Sequence, residues 1–211
     1  MALKAGLDEA GRGSLLGNLV VAIVVCNEEQ ETFLKKSGVK DSKRISPQKR
    51  EKLYELIRST CLYINSISIS SREIDNLREG GKTLNQIELD AFLGLCSGYE
   101  DIKKCDIYVD SVDVKCERFG KHFTLLTDHE VFSKHKADSL YICVSAASIV
   151  AKVLRDRNMQ EIRSEMAKIA QNEFDVGSGY PSDTKTKKFV KKYKEKYDKF
   201  PLFMRRSWNI S

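Results

Sequence analysis

The sequence predicts an α/β fold built on a mixed β-sheet, and three observations support it. Short apolar segments typical of strands recur in the first third of the chain, and one of them, Leu19 to Cys26, is apolar throughout. Helical patterns then alternate with two further strand-like segments. The 211 residues can bury a substantial core, and a composition of 41% hydrophobic and 31% charged residues is typical of a globular protein.

The first half of the chain is predicted to contain three strands and four helices. The strands are predicted over 3–8, 18–26 and 62–70, the last from its alternation of apolar and polar residues. The helices are predicted over 28–36, from Ser46-Pro47 onward, over 71–77 and over 83–96. Ser46 is a suitable N-cap, and Pro47 suits the first helical position.

The second half is predicted to complete the sheet and then become helical. Two more strands are predicted over 105–110 and 123–127, followed by a long helix from Asp138 to about Ala170. A turn over 177–183 precedes a basic helix. We expect a catalytic domain over 1–170 and a C-terminal basic helical segment over 171–211 that packs on it.

The net charge of +6 is concentrated near the C-terminus. Residues 185–199 contain eight lysines against Glu195 and Asp198, so that this segment alone carries +6. A basic stripe indicates a polyanionic partner, although a lysine-rich helix face is often merely solvated. Aromatic residues at helical spacing predict one apolar face for docking and one basic face. They are Phe189, Tyr193, Tyr197 and Phe200.

Several classes of protein are disfavoured. The longest apolar run is far too short to span a bilayer, and no signal-peptide pattern is present, so we expect a cytoplasmic protein without a membrane partner. The six cysteines form no Cys-x-x-Cys pair and do not cluster with the three histidines, which disfavours a zinc site. We also expect a monomer.

Four carboxylates are candidates for a metal site. Asp8 closes the first predicted strand and Glu9 follows it, Asp110 closes the fourth, and Asp138 begins the long helix. Strand ends at one edge of a sheet commonly form sites, and a carboxylate buried there needs a cation or a hydrogen-bond donor. Mg²⁺ and Mn²⁺ prefer oxygen ligands, and two such ions about 4 Å apart can hold a phosphodiester. Each acid alone could equally be a surface residue, and Asp138 could be an N-cap.

The long helix is predicted to have one polar edge. At ~100° per residue, Asp138, Ser145, Ser148 and Lys152 fall within about a quarter of a turn. Hydroxyls and a lysine beside a metal site could bind phosphates. The small residues could instead only allow close packing of the helix on the sheet.

Six short motifs occur along nearly the whole chain. They are Asp8-Glu9-Ala10-Gly11-Arg12-Gly13, Asp41-Ser42-Lys43, Val109-Asp110, Lys136-Ala137-Asp138, residues 144–152 with Arg155-Asp156-Arg157, and Gly177-Ser178-Gly179-Tyr180-Pro181-Ser182-Asp183. In these motifs and in their order, the chain resembles the ribonuclease HII family. The last motif is similar to the archaeal and eukaryotic branch of the family.

This resemblance implies an RNase H-like fold: a mixed β-sheet flanked by helices, with a C-terminal helical part. It implies endonucleolytic cleavage of RNA in RNA/DNA hybrids and at ribonucleotides embedded in duplex DNA, by a two-metal mechanism that leaves 5′-phosphate and 3′-hydroxyl ends. The implied ligands of two Mg²⁺ or Mn²⁺ ions are Asp8, Glu9, Asp110 and Asp138.

The resemblance also implies contacts to the substrate. Gly11, Arg12 and Gly13 are similar to a loop that recognises the 2′-hydroxyl at the RNA–DNA junction. Tyr180 is similar to a tyrosine that stacks on the deoxyribose beyond it, and Lys43 to a lysine that contacts a phosphate. Glycines do let a backbone approach a sugar closely, and the 2′-hydroxyl is what separates RNA from DNA. The glycines could also form a plain tight turn, and Tyr180 could be a core tyrosine.

Two other functions stay open on the sequence alone. A DNA-directed nuclease or recombinase of the same fold would need the acids but no ribose-recognising loop. A nucleic-acid-binding module without catalysis would rely on the basic helix, and the intact set of four acids counts against it.

Overall fold

The computed structural model describes residues 2–40, 45–111, 115–127, 130–170 and 173–208. Within these residues it contains five strands and eight α-helices. The strands are β1 (Leu3–Ala10), β2 (Leu19–Asn27), β3 (Tyr63–Ile69), β4 (Cys105–Asp110) and β5 (Val131–Lys134). The helices are α1 (Glu28–Lys36), α2 (Pro47–Thr60), α3 (Ser71–Glu79), α4 (Leu84–Ser97), α5 (Cys116–Thr127), α6 (Ala137–Leu140), α7 (Ile142–Ala170) and α8 (Thr184–Tyr197).

The strands form one mixed sheet in the order β3-β2-β1-β4-β5, which confirms the predicted fold class. β1 runs antiparallel to β2 and parallel to β4, and β4 runs parallel to β5. Leu7 pairs with Val109, so Asp8 and Asp110 follow at the same end of two neighbouring strands. Eight of the nine residues of β2 are buried, which explains its unbroken apolar run.

The first turn of α7 packs closely on β1 at Gly6. A Cβ at this position would lie 2.1 Å from the carbonyl carbon of Cys143 and 2.4 Å from the nitrogen of Val144. No side chain fits between strand and helix at such distances, so glycine is required here. This contact fixes where α7 begins relative to β1.

Local sequence signals set several helix starts. Ser46 caps α2 and Pro47 occupies its first turn, as predicted. Capping boxes begin α1 at Asn27 and α3 at Ser70. In each box the side chain of the N-cap residue accepts the backbone N–H of the residue three positions on, whose own side chain accepts the N-cap N–H.

The predicted strand over 123–127 is wrong. These residues end α5, and the fifth strand is β5. A short apolar run cannot distinguish a strand from a buried helix. Here Phe119 and Phe123, four residues apart, lie on one helix face with their rings 6.1 Å apart, and both are buried.

The predicted single helix from Asp138 to Ala170 is interrupted. α6 ends at Leu140, Tyr141 is extended (φ −120°, ψ 126°), and α7 begins at Ile142. Asp138 therefore lies on a separate short helix, so the helical spacing that predicted one edge with Ser145 and Lys152 does not apply to it. It is not an N-cap either, since Lys136 occupies that position.

The chain divides into two compact units. The first comprises Met1–Ala10, Val20–Ile67 and Asn85–Val153, and the second Gly11–Leu19, Ser68–Leu84 and Leu154–Ser211. The core of the second unit includes Leu15, Leu16, Met159, Ile162, Met166, Phe174, Val176, Phe189, Val190 and Met204. The predicted boundary at residue 170 stays a prediction.

Helix α8 has the two faces predicted for it. Phe189 and Val190 are buried in the core of the second unit, and Tyr193 and Tyr197 pack against it. Most of its lysines are exposed, so a basic face is available to a polyanion. In the described part of the chain, none of the helices combines the length and the apolar character that a membrane span requires.

Candidate functional site

Three of the four predicted carboxylates meet in the first unit. Asp8 near the end of β1, Asp110 at the end of β4 and Asp138 on α6 each place a carboxylate oxygen within 4.8 Å of the others. Asp8 is 5% exposed and Asp138 2% exposed, while Asp110 is half-buried. The parallel pairing of β1 with β4 brings together two acids that lie about one hundred positions apart in the sequence.

The electrostatics of this cluster fit a cation. Burial raises the pKa of Asp8 well above its usual range, and the charges of Glu9 and Asp110 raise it further. A hydrogen bond with Ser148 and the charge of Lys152 act in the opposite direction. A bound divalent ion would relieve the desolvation and the repulsion together, because it supplies the opposite charge at the oxygens. The carboxylate cluster therefore suits a hard, oxygen-liganded metal.

The turn before α6 places Asp138. Lys136 has a left-handed backbone (φ 58°), which is uncommon for a residue other than glycine. The backbone N–H of Ala137 donates to Oδ1 of Asp110 at 3.3 Å. Asp110 thus fixes the start of the helix that carries Asp138, so the two acids are positioned by one hydrogen bond.

Glu9 lies next to this cluster but outside it. Glu9 is not among the three acids whose oxygens lie within 4.8 Å of one another. Its charge is close enough to raise the pKa of Asp8. The role of Glu9 as a metal ligand stays a prediction.

Two of the polar residues predicted on α7 act on Asp8. Lys152 donates from Nζ to Oγ of Ser148 at 2.8 Å, and both influence the pKa of Asp8. Ser145 is fully buried, and its Oγ has no hydrogen-bond partner among the described residues. Ser148 and Lys152, two residues of the predicted polar edge, therefore lie beside the carboxylate cluster.

In the second unit, Gly11 forms a tight turn and Gly13 lies open. Gly11 has φ +84°, and a Cβ there would lie 2.5 Å from the carbonyl oxygen of Asn18. Ser14 donates to the Gly11 carbonyl from Oγ at 2.8 Å and from its backbone N–H at 3.2 Å. Around Gly13, a Cβ would meet nothing within 4 Å. The tight-turn interpretation thus holds for Gly11, while Gly13 leaves space for a close-approaching ligand.

The turn that carries Tyr180 is joined to the loop after Gly13. The Gly179 carbonyl accepts the backbone N–H groups of Leu15 and Leu16 at 2.8 and 3.0 Å. Tyr180 is half-buried, and its ring lies 4.6 Å from the guanidinium carbon of Arg155. It is not among the described core residues of the second unit. Within this unit, the loop and the tyrosine form one continuous structure.

One predicted residue lies outside the described part of the chain, and one important residue was not predicted. Lys43, with Asp41 and Ser42 of the same motif, lies outside the described residues, so its role stays a prediction. The sequence interpretation missed Arg205, which is fully buried and donates to the carbonyls of Gly11 and Arg12 at 2.7 Å each. The only signal was an aromatic and basic C-terminal end, which does not distinguish buried Arg205 from exposed Arg206.

Comparisons with known proteins agree with one another. A family model described as Ribonuclease HII matches residues 5–211. The chain is 40% identical to ribonuclease HII of Pyrococcus abyssi over 209 residues, which cover 98% of this chain and 88% of that protein.

Solved structures give the same result. The ribonuclease H2 structure from Pyrococcus horikoshii is similar with a TM-score of 0.86 and 38% identity, covering 99% of this chain and 94% of that one. Ribonuclease HII of Archaeoglobus fulgidus, solved in a complex with PCNA, gives a TM-score of 0.85 and 37% identity over 99% and 96% of the two chains.

Proposed function

The chain belongs to the ribonuclease HII family of metal-dependent endonucleases, and from this premise we propose that it cuts RNA/DNA hybrids and DNA duplexes at embedded ribonucleotides. The observation that carries the proposal is the cluster of Asp8, Asp110 and Asp138, which is suited to a divalent metal. The cytoplasmic location and the monomeric state expected from the sequence stay predictions.

The three aspartates, with Glu9, would hold two Mg²⁺ or Mn²⁺ ions. When bound, such ions supply a nucleophilic water and stabilise the charge on the departing 3′-oxygen, which leaves 5′-phosphate and 3′-hydroxyl ends. The buried positions of Asp8 and Asp138 keep bulk water from their oxygens and so strengthen every electrostatic interaction there. Lys152, held by Ser148, contributes a fixed positive charge beside Asp8.

The second unit would recognise the sugar and the backbone of the duplex. The loop Gly11-Arg12-Gly13 would recognise the 2′-hydroxyl, and the open space around a Cβ at Gly13 supports a close approach of the sugar there. Tyr180 would stack on the neighbouring deoxyribose, with Arg155 supporting its ring. Lys43 would contact a phosphate, and the exposed lysines of α8 would add salt-dependent affinity that is independent of sequence.

One assay tests this function. Three labelled duplexes are incubated with the protein in Mg²⁺ or in EDTA: DNA with one embedded ribonucleotide, all-DNA of the same sequence, and an RNA/DNA hybrid. We expect cleavage of the first and third only, and only with metal. Equal cleavage of the all-DNA duplex would support a DNA-directed nuclease, and binding without cleavage in Mg²⁺ and in Mn²⁺ would support a binding module.

Gly13→Ala separates ribose recognition from folding. The added methyl meets nothing in the protein, so we expect the free energy of unfolding to change by no more than about 0.5 kcal/mol. The same methyl occupies the space proposed for the ribose, so kcat/KM on the embedded ribonucleotide should fall by about 10- to 100-fold. Thermal melting tests the expected stability, and steady-state kinetics test the expected loss of kcat/KM.

Gly11→Ala is the comparison variant for Gly13→Ala. Its methyl meets the Asn18 carbonyl at 2.5 Å in a backbone conformation that favours glycine, so we expect it to lower stability as well as activity. If Gly13→Ala had the same kcat/KM as wild type, Gly13 would not belong to the proposed ribose site.

Tyr180→Ala tests stacking on the deoxyribose. Loss of an aromatic stacking partner costs about 1–3 kcal/mol, so cleavage at a single embedded ribonucleotide should fall by at least about 5-fold. Tyr180→Phe keeps the ring over Arg155 and should retain activity. Cleavage rates and duplex affinities of both variants are compared with wild type. Equal activity of Tyr180→Ala on all substrates would leave Tyr180 a purely structural role.

A further inference from the structure

Arg205 is the largest fully buried side chain in the described part of the protein. Burial lowers the pKa of its guanidinium to about 10, so it stays charged at neutral pH. A charge in the interior is costly unless donors and acceptors are paired around it. The Nη1 and Nη2 groups of Arg205 donate to main-chain carbonyls, which shows what the charge is positioned to hold, while Nε has no partner among the described residues.

The three carbonyls belong to one loop. Nη1 donates to the Arg12 carbonyl at 2.7 Å, and Nη2 donates to Gly11 at 2.7 Å and to Gly17 at 3.3 Å. This loop contains three glycines, so it loses much conformational entropy when it becomes ordered. The hydrogen bonds from Arg205 offset part of that cost. Because the guanidinium is a rigid planar fork, it fixes these carbonyls relative to one another.

The fork is itself held in place by the segment 203–208, here called the C-terminal anchor. The Arg205 N–H donates to the Leu15 carbonyl at 2.9 Å, and its guanidinium carbon lies 4.9 Å from the Trp208 ring. Asp75 on α3 accepts the backbone N–H groups of Arg206 and Ser207 at 2.8 and 3.0 Å, and the Ser207 hydroxyl at 2.7 Å.

Ser71 at the start of α3 joins the anchor to the loop a second time. Its Oγ lies 2.8 Å from the Phe203 carbonyl and 3.1 Å from the Gly17 carbonyl. The loop and the C-terminal anchor are therefore both hydrogen-bonded to α3, and Arg205 joins the anchor to the loop.

Peptide geometry gives this arrangement a consequence for the loop. In a trans peptide the C=O and the following N–H point in opposite directions. Since the Gly11 and Arg12 carbonyls point at Arg205, the N–H groups of Arg12 and Gly13 are turned away from it. Arg205 thereby sets the orientation of the peptide groups in the loop that is proposed to meet the 2′-hydroxyl.

We propose that Arg205 is a positioning residue for ribose recognition, which orients the peptide groups of Gly11-Arg12-Gly13 from inside the protein. The inference rests on the proposed function of that loop. Arg205 acts through the loop and does not touch the substrate. Its loss should weaken the preference for a ribonucleotide more than the affinity for a duplex.

Arg205→Lys is the decisive variant, because it keeps the charge but cannot hold three carbonyls in the geometry of the fork. Arg205→Met removes the donors altogether, and exposed Arg206→Met, its neighbour, is the matched control. Steady-state kinetics use the duplex with one ribonucleotide, at a temperature where circular dichroism shows each variant folded. We expect kcat/KM to fall about 10- to 100-fold for Arg205→Lys and to stay within about twofold for Arg206→Met.

A binding measurement separates positioning from general loss of structure. In the cleavage-deficient Asp110→Asn background, fluorescence anisotropy gives the affinity ratio between the duplex with one ribonucleotide and its all-DNA counterpart. We expect Arg205→Lys to lower this ratio while all-DNA affinity stays within about twofold. An unchanged ratio would overturn the role of Arg205, and if Gly13→Ala still lowered it, the proposed function would stand. A wild-type chain without ribonucleotide preference would overturn both.

Discussion

Asp110→Asn is expected to lower cleavage by more than about 100-fold, since loss of even an outer-shell partner costs metal sites 10- to 100-fold. Asparagine has nearly the same shape, and its Oδ1 can still accept the Ala137 N–H that now lies 3.3 Å from Asp110. The turn before α6 should therefore survive, and Asp138 should keep its position. Duplex affinity should stay near wild type, as measured by fluorescence anisotropy.

The same variant should stabilise the metal-free protein. The charge of Asp110 helps to raise the pKa of Asp8, so removing it lets that pKa fall. A raised carboxyl pKa favours folding fully below the unfolded-state value, and this contribution is lost as pH rises through the folded-state value. As pH rises above the unfolded-state pKa, the wild type loses more of this contribution than Asp110→Asn does, so the Tm of Asp110→Asn in EDTA should be higher than that of wild type in that range.

Asp106→Asn is the control for both effects, because Asp106 lies exposed on the same strand. It should leave activity and Tm unchanged. Full cleavage activity in Asp110→Asn would remove Asp110 from the site. A lower Tm without metal would contradict the proposed electrostatic origin of its effect.

Gly6→Ala is expected to have the largest effect on stability. The methyl would lie 2.1 Å from a backbone carbon of Cys143, and backbone on both sides leaves no flexible side chain to move away. Overpacking of this kind costs about 3 kcal/mol or more. For a chain of this length, Tm should then fall by about 6–12 °C.

Gly13→Ala is the matched control, since the same methyl there meets open space. Thermal melts in EDTA compare the two without a contribution from metal. A Tm within about 2 °C of wild type for Gly6→Ala would mean that α7 moves away from β1 at little cost.

The sequence predicts the sheet and half of the site well, for physical reasons. Strand propensity and burial locate β1, β2 and β4; Asp8 lies near the end of β1, and Asp110 ends β4. Their meeting follows once β1 and β4 are parallel neighbours. Similarity to the Pyrococcus horikoshii structure confirms the RNase H-like fold that the motifs imply.

Other features depend on tertiary contacts that no local pattern reveals. The run at 123–127 is apolar enough for a strand, but packing between Phe119 and Phe123 favours a helix. The extended Tyr141 separates Asp138 from the long helix, and the left-handed Lys136 precedes its short helix, although neither position is a glycine that would indicate a turn. Arg205 becomes informative only when its donors are traced to carbonyls about 190 positions away.

The central claim is that Asp8, Asp110 and Asp138 bind the divalent ions on which cleavage depends. Anomalous diffraction from crystals soaked in Mn²⁺ tests it most directly, with Asp110→Asn crystals for comparison. We expect a strong peak about 2 Å from carboxylate oxygens of these aspartates, and a weakened or absent peak in the variant. A wild-type crystal without a peak there, while the same preparation cleaves its substrate, would contradict the claim.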